Sequence, residues 1–396
     1  MEKNKGSSSV GIYDRYDLDT WMRPIWEGQV VHNETVMFVD DDNGASLIYK
    51  PDKVLSVRSY DLTVEYEEGV DYRVENNRIV RLEGSRIPSC PLSTYYSPGD
   101  RELLYTMYNG QITTTMYGEG DKMTRWEVAV TYEHSGEWGG IDVKSYADRY
   151  ADLINKLEKG EDVTVFFYGD SVTAGASASN ERAPFTPQWA MMFCEYAAKQ
   201  YGYTVKYVTH NRADAVFGSR GTIKYINTAV GGWTTEQGLN NLDTHVMPHI
   251  AEHGCDLFVL AISLNNTGST ASYVCGLFKE LIDRVVASAP DTDVVIVSPM
   301  IPNPEAVRKA NEWFVNGTQP TFEAGILPLT EEINDGGTNC AMTPMTSISK
   351  YIHSKKRFRD TTGNNVNHPS DFLVRVYAQA LFETVFGYEN YTDGAT

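Results

Sequence analysis

Val163-Thr-Val-Phe-Phe-Tyr-Gly169-Asp170-Ser171-Val-Thr-Ala-Gly175 begins as an unbroken apolar and aromatic run. Such a run between polar residues predicts a strand buried on both faces, as in a parallel sheet. It stops at Gly169, and apolar residues return at helical spacing from about Pro184 to Tyr201. The stretch therefore reads as strand, tight turn and helix, with a serine at the turn. In open α/β sheets ligands sit beyond the carboxyl ends of the strands, which is where Ser171 falls. A serine there can serve as a nucleophile, given a base for its proton and donors for an oxyanion. It can equally be the N-cap of the following helix, and the surrounding chain has to decide between the two.

Downstream, Thr204–Val208, Ile223–Val230, Leu257–Ile262 and Val294–Val297 repeat the strand pattern, mostly with helical stretches between them. Strands alternating with helices predict an α/β fold with a parallel, doubly wound sheet. A last helix is expected from about Asp371 to Phe386, with Phe372, Val376, Ala380 and Phe386 facing inward. Upstream, the pattern is different. Val36–Val39, Ser46–Tyr49, Val54–Arg58, Leu62–Tyr66, Tyr72–Val74, Arg78–Leu82 and Arg125–Tyr132 are short β-type runs with no helical pattern among them. Glu75-Asn-Asn77 reads as a hairpin turn. This predicts an all-β sandwich or jelly roll over 1–140. It would be followed by an α/β domain over 141–396, beyond the glycine-rich junction Glu133-His-Ser-Gly-Glu-Trp-Gly-Gly140.

The 396 residues are enough for two domains, and a formal charge of −19 disfavours nucleic acid and anionic membrane surfaces as partners. It favours neutral substrates. No apolar run approaches membrane-spanning length. The opening Met1-Glu-Lys-Asn-Lys-Gly-Ser-Ser-Ser9 lacks the apolar segment of a secretory signal, so a cytoplasmic location is expected. Cys90, Cys194, Cys255, Cys275 and Cys340 are scattered without C-x-x-C spacing, which fits reduced core thiols.

Four places carry candidate chemistry: Gly169-Asp170-Ser171, Asn227-Thr-Ala-Val-Gly-Gly232-Trp233, Ser263-Leu-Asn265-Asn266 and Asn365-Val-Asn367-His368-Pro369. They offer a nucleophile, a backbone donor, an amide donor and a base, which together make an acyl-transfer site. In this order the blocks resemble those of the SGNH, or GDSL, hydrolases over roughly residues 146 to 390. The resemblance implies a catalytic domain with a flavodoxin-like sheet, Ser171 as nucleophile, Gly232 and Asn265 in the oxyanion hole, and His368 as general base. Two positions depart from the family pattern. Asn365 stands where an aspartate commonly orients the histidine, which leaves an amide orienter, or a distant carboxylate such as Asp360 or Asp371. Asn266 stands where many members carry aspartate, which bears on support of the loop.

His249-Ile-Ala-Glu-His253, with His245 before it, matches a zinc-protease spacing. Pro248 interrupts the helix that would align those ligands, and Gly254 ends it. The segment is also expected at the end of the sheet opposite Ser171, and no metal is assigned. G-x-S-x-G, Walker and dinucleotide motifs are missing at suitable strand ends, so no cofactor is implied.

The acidic composition, the tyrosines and tryptophans, and the attached β region look like family members that remove O-acetyl groups from carbohydrates. Acetylated xylan- or mannan-derived oligosaccharides are the expected substrates. Trp138 at the junction and Trp233 beside Gly232 are the candidate substrate-binding aromatics. The Tyr132–Trp138 segment resembles the junction of SGNH esterases whose β domain helps wall the site. The alternatives are a retired hydrolase scaffold that binds carbohydrate, or a lipase, thioesterase or acyltransferase of the same family. The oligomeric state is left open.

Overall fold

A computed structural model of the protein describes residues 18–40, 42–96, 104–176, 178–309 and 317–388. The opening Met1–Ser9, read above for a leader, lies outside the described residues. In chain order the strands of the first part are β1 (Val30–Met37), β2 (Gly44–Ser46), β3 (Lys53–Ser59), β4 (Glu65–Tyr66), β5 (Tyr72–Glu75), β6 (Arg78–Arg81), β7 (Leu104–Tyr108), β8 (Gln111–Thr114) and β9 (Glu127–Glu133). They are followed by β10 (Val163–Gly169), β11 (Thr204–Tyr207), β12 (Ala215–Val216), β13 (Thr222–Asn227), β14 (Leu257–Ala261), β15 (Asp293–Val297), β16 (Ala306–Lys309) and β17 (Cys340–Thr343).

The central sheet has seven strands in the order β12-β11-β13-β10-β14-β15-β17. All its pairings are parallel except that of β12 with β11. The expected α/β class with a mostly parallel sheet is what the structure has. Every residue of β10 is buried, and its alternation feeds two separate cores. Val163, Val165 and Phe167 enter one cluster, while Phe166 and Tyr168 enter the other. That two-sided burial is why the run is apolar without a break.

β10 is the strand at which the winding of the sheet reverses. β13 follows it on one side and β14 on the other, although β14 comes later in the chain. The loops leaving the carboxyl ends of these three strands therefore diverge around a crevice, the place where such sheets bind ligands.

The antiparallel strands form three small sheets. They are β1-β9-β3-β4, β2-β6-β5, and β16-β7-β8. The last contains a strand from each side of residue 140. The two parts also share one core, in which Trp21, Phe38 and Tyr132 belong to the same cluster as Trp189 and Phe372. The helix Asp371–Val385 is buried along its whole length rather than along the one expected face. Arg375 donates to the His32 and Asn33 carbonyls, and Gln379 donates to the Trp21 carbonyl, so the N-terminal residues cover its outer side. The Lys356–Glu34 ion pair crosses the same boundary with both side chains fully buried.

The helix after Ser171 begins at Trp189, later than the spacing suggested, and short helices at Leu92–Tyr95 and Asp121–Thr124 interrupt the early strands. All five cysteines are unpaired and four are buried. Among the described residues no helix is long and apolar enough to cross a membrane.

Candidate active site

Ser171 follows Gly169 at the carboxyl end of β10, in a turn closed by Ala174 N–H to Asp170 O at 2.9 Å and Ala176 N–H to Ser171 O at 2.9 Å. Gly169 has to be glycine, because a Cβ there would lie 2.1 Å from Thr173 Oγ1 and 2.6 Å from the Ala261 carbonyl. Asp170 is buried behind the serine. Its carboxylate accepts from the N–H groups of Val172 (3.1 Å), Ser263 (3.3 Å) and Leu264 (3.1 Å), joining the β10 turn to the loop after β14. Burial pushes the Asp170 carboxyl up to about 6, against the lowering effect of those three donors and of His368.

The loop after β13 is drawn to the same point. Val230 N–H bonds to the Gly169 carbonyl at 3.0 Å, and Asn227 Nδ2 donates to Thr173 O at 2.8 Å. A Cβ on Gly231 would stand 3.7 Å from the Ser171 Cβ, so this loop lies directly against the serine. Gly232 has φ +82° with open space around its Cβ direction, so backbone conformation rather than crowding calls for glycine there. Asn265 Nδ2 donates to the carbonyl of Trp233, the residue after Gly232, at 3.0 Å. Asn266, the second departure noted in the sequence, supports its loop without a charge. Its Oδ1 accepts from Thr235 N at 3.0 Å and from Thr235 Oγ1 at 2.9 Å.

His368 Nε2 lies 2.8 Å from Ser171 Oγ. The other ring nitrogen, Nδ1, lies 3.0 Å from Glu119 Oε1 and 3.1 Å from Oε2. Glu119 is the carboxylate that sequence reasoning missed. It sits between Gly118 and Gly120, after β8, in the N-terminal part of the chain. Asn364 sets its position: Nδ2 donates to Glu119 Oε1 at 3.0 Å, while Oδ1 accepts from the N–H groups of Val366, Asn367 and His368. One amide thus fixes both the acid and the loop carrying the base. The Glu119 side chain is 54% exposed and that of His368 13%, so solvent reaches the carboxylate more than the ring.

The candidates considered for the orienting role do other things. Asn365 is buried with φ +63°, and its Nδ2 donates to the Met116 carbonyl at 2.8 Å. It therefore fastens the 363–368 loop to the segment leading into Glu119. Asp360 accepts from Met37 N–H at 2.8 Å and from Arg357 N–H at 3.1 Å. Asp371 accepts from Ser179 N–H and Oγ. Both are buried and occupied elsewhere.

The two aromatic candidates part company. Trp233 adjoins the Gly232 loop, with its ring 4.7 Å from that of His245. That contact places His245 beside this loop, whereas His253 lies at the opposite end of the sheet, as expected, its carbonyl accepting from Thr164 Oγ1 at 2.9 Å at the start of β10. Pro248 opens a separate helix, Met247–His253. Among the described residues, no three His, Cys, Asp or Glu side chains are grouped to hold a metal. Trp138 is not brought to Ser171. Its ring packs edge-on against Tyr351, with centroids 4.3 Å apart, and its Nε1 donates to the Ile141 carbonyl at 2.9 Å.

The chain is similar to several solved esterase structures. One is a two-domain esterase active on acetylated mannans, with 16% identity over 65% of this chain and 59% of that one, at a TM-score of 0.44. Another is an acetyl xylan esterase, AlAXEase, at 16% identity, 56% and 98% coverage and a TM-score of 0.39. A third is a carbohydrate esterase family 3 protein from Talaromyces cellulolyticus, at 10% identity, 55% and 94% coverage and a TM-score of 0.39. This chain spans 54% to 59% of the length of the two-domain esterase structures it matches. No protein-family model and no curated protein matches the chain.

Proposed function

We propose that this protein is a serine carboxylic ester hydrolase that removes O-acetyl groups from plant-polysaccharide-derived oligosaccharides. The observation that carries the esterase reading is the chain of contacts from Ser171 Oγ through the His368 ring to Glu119. A serine hydroxyl beside an imidazole that is oriented by a carboxylate is the arrangement that activates oxygen for acyl transfer.

In this reading Glu119 accepts the His368 Nδ1–H, which leaves Nε2 unprotonated and facing Ser171 Oγ. Ser171 attacks the ester carbonyl and His368 takes its proton. Glu119 balances the imidazolium charge, to the extent that solvent leaves it unscreened. The oxyanion is met by the N–H groups of Ser171 and Gly232 and by Asn265 Nδ2, which has a second hydrogen beyond the one given to Trp233. His368 then protonates the departing alcohol, and water repeats the sequence on the acyl-enzyme.

In this reading one acidic residue of the N-terminal part, Glu119, joins the chemistry, and the N-terminal β region and the α/β part work as one catalytic body. The carbohydrate acetyl substrate is supported by the tyrosine- and tryptophan-rich composition, whose rings can stack on sugars, and by the negative charge, which favours a neutral ligand. The unpaired cysteines are in keeping with a cytoplasmic site of action. A retired binding scaffold has less support, because the full Ser–His–Glu contact chain is present.

The test is acetate release from acetylated xylo- and manno-oligosaccharides by the wild type and by Ser171→Ala. Release by the wild type that vanishes in the variant is expected. Equal release from both proteins, or none from the wild type on either sugar or on a small activated acetyl ester, would refute the proposal.

A further inference from the structure

The glycine-rich junction Gly136–Gly140 is not used by the Ser171 site, yet it is tightly specified. A Cβ on Gly136 would stand 3.1 Å from the Tyr49 ring, one on Gly139 3.0 Å from Tyr351 Oη, and one on Gly140 2.5 Å from the Trp138 ring. Three aromatic side chains therefore close directly onto backbone at three glycines within five residues. The result is an open cleft of about 490 Å³, lined by Trp26, Tyr49, His134 and Trp138 together with Glu27, Glu137 and Asp142. Tyr49 and His134 stack with ring centres 3.8 Å apart, and Trp26 leans on Trp138 at 6.4 Å.

We infer that this cleft is a second saccharide-binding site, separate from the Ser171 site. The inference rests on the carbohydrate reading of the protein. A pyranose offers a flat C–H face and a rim of hydroxyls. An indole wall matches the first, and carboxylate oxygens that accept hydroxyl hydrogens match the second. Partial desolvation raises the Glu27 carboxyl above its ordinary value.

An anion is disfavoured by the three carboxylates. A compact organic cation needs open ring faces on several sides, whereas here Trp138 is already packed against Tyr351 and Trp26 and covers Gly140. The rings form a wall and not a box.

The separation from the catalytic serine follows from the fold. Tyr146 N–H, just after the cleft residues, bonds to the Thr384 carbonyl near the end of the helix Asp371–Val385. That helix starts next to His368, and the distance from Asp371 to Thr384 along it is about 20 Å. Ser171, His368 and Glu119 do not line the cleft, so a ligand there would hold a longer chain to the protein while an acetyl group elsewhere on it is removed.

The experiment titrates the full-length Ser171→Ala protein with deacetylated xylohexaose and mannohexaose by calorimetry, then repeats it with Trp138→Ala added. Binding of at least one sugar, weakened at least about tenfold by the added change, is expected. A second variant carrying Glu137→Gln and Asp142→Asn guards against a folding defect from loss of the indole, and a similar loss is expected. No binding of either sugar, equal binding by all variants, or displacement of the sugar by choline would overturn the inference. Hydrolysis of a small acetyl ester by the wild type is read separately, so failure here is distinct from failure of the esterase proposal.

Discussion

Asn364 accepts from three backbone N–H groups, including that of His368, and donates to Glu119. It touches neither the serine nor the space a substrate would fill, so it acts through the two residues it holds. Asn364→Ala is expected to lower kcat by about tenfold or more, with KM little changed, because a misplaced base costs rate rather than binding. Asn364→Asp keeps the acceptors but sets a like charge beside Glu119, and a comparable loss is expected from it. Steady-state kinetics on a small acetyl ester distinguishes these outcomes from a general folding defect, which would show as lost soluble protein. Ser171, Gly232, Asn265 and His368 were candidates in the sequence because each lies in a short block at a strand end or helix start, where residue type and local context agree. Glu119 was not. It lies 249 residues from His368, and no local pattern ties the two. An acidic residue between two glycines, Gly118 and Gly120, was the one available signal, and it reads equally well as a turn.

The hairpin β7–β8 explains how so distant a carboxylate arrives. β16 pairs with β7, Thr106 Oγ1 donates to the Glu305 carbonyl at 2.9 Å, and Asn303 Nδ2 donates to the Asn365 carbonyl at 2.8 Å. The small sheet thus lies over the loop that carries His368 and delivers the residues after β8 beside it. This hairpin escaped the sequence reading, as did β17, because both are short and lack clean alternation. β10, β11, β13, β14 and β15, which feed the two large cores, were visible, although β17 sends Ala341 into one and Cys340 and Met342 into the other. At the start of β9, Glu127 is buried, and among the described residues neither of its carboxylate oxygens has a hydrogen-bond partner. Burial raises its pKa well above the ordinary carboxyl value. Asp360 and Asp371 add to the rise, while Lys356 and Arg182 oppose it. The unfolded chain releases this proton near pH 4.3, about the usual glutamate value, whereas the folded protein keeps it. Stability from this group is therefore complete at low pH and falls as pH rises above that value. Glu127→Gln removes the penalty, so the Tm of the variant relative to wild type should climb between pH 4 and pH 8. A difference that shrinks over that range would count against the neutral carboxyl.

The whole molecule does not divide cleanly at residue 140. Its largest core takes side chains from both parts, and the helix Asp371–Val385 is enclosed by both. The change from β runs to alternating strands and helices was plain in the sequence. The shared core was not, because periodicity reports how a segment is buried and not against what. Lys356 and Glu34 concentrate that dependence in one buried pair, which Tyr132 Oη and the Thr35 carbonyl complete. Lys356→Met strands the Glu34 charge and is expected to cost about 3–5 kcal/mol. Chemical denaturation should show the loss in a single transition reported by both parts; two separable transitions would argue for independent folding. The central claim is that the N-terminal β region supplies the acid of a Ser171–His368–Glu119 triad. It is tested most directly by kcat for Glu119→Gln on a small acetyl ester. An equivalent change in a serine protease triad lowers kcat by about 10⁴-fold, and the partial exposure of Glu119 moderates this to an expected loss of about 10² to 10⁴. A variant that turns over at the wild-type rate would contradict the triad and leave His368 to act without Glu119.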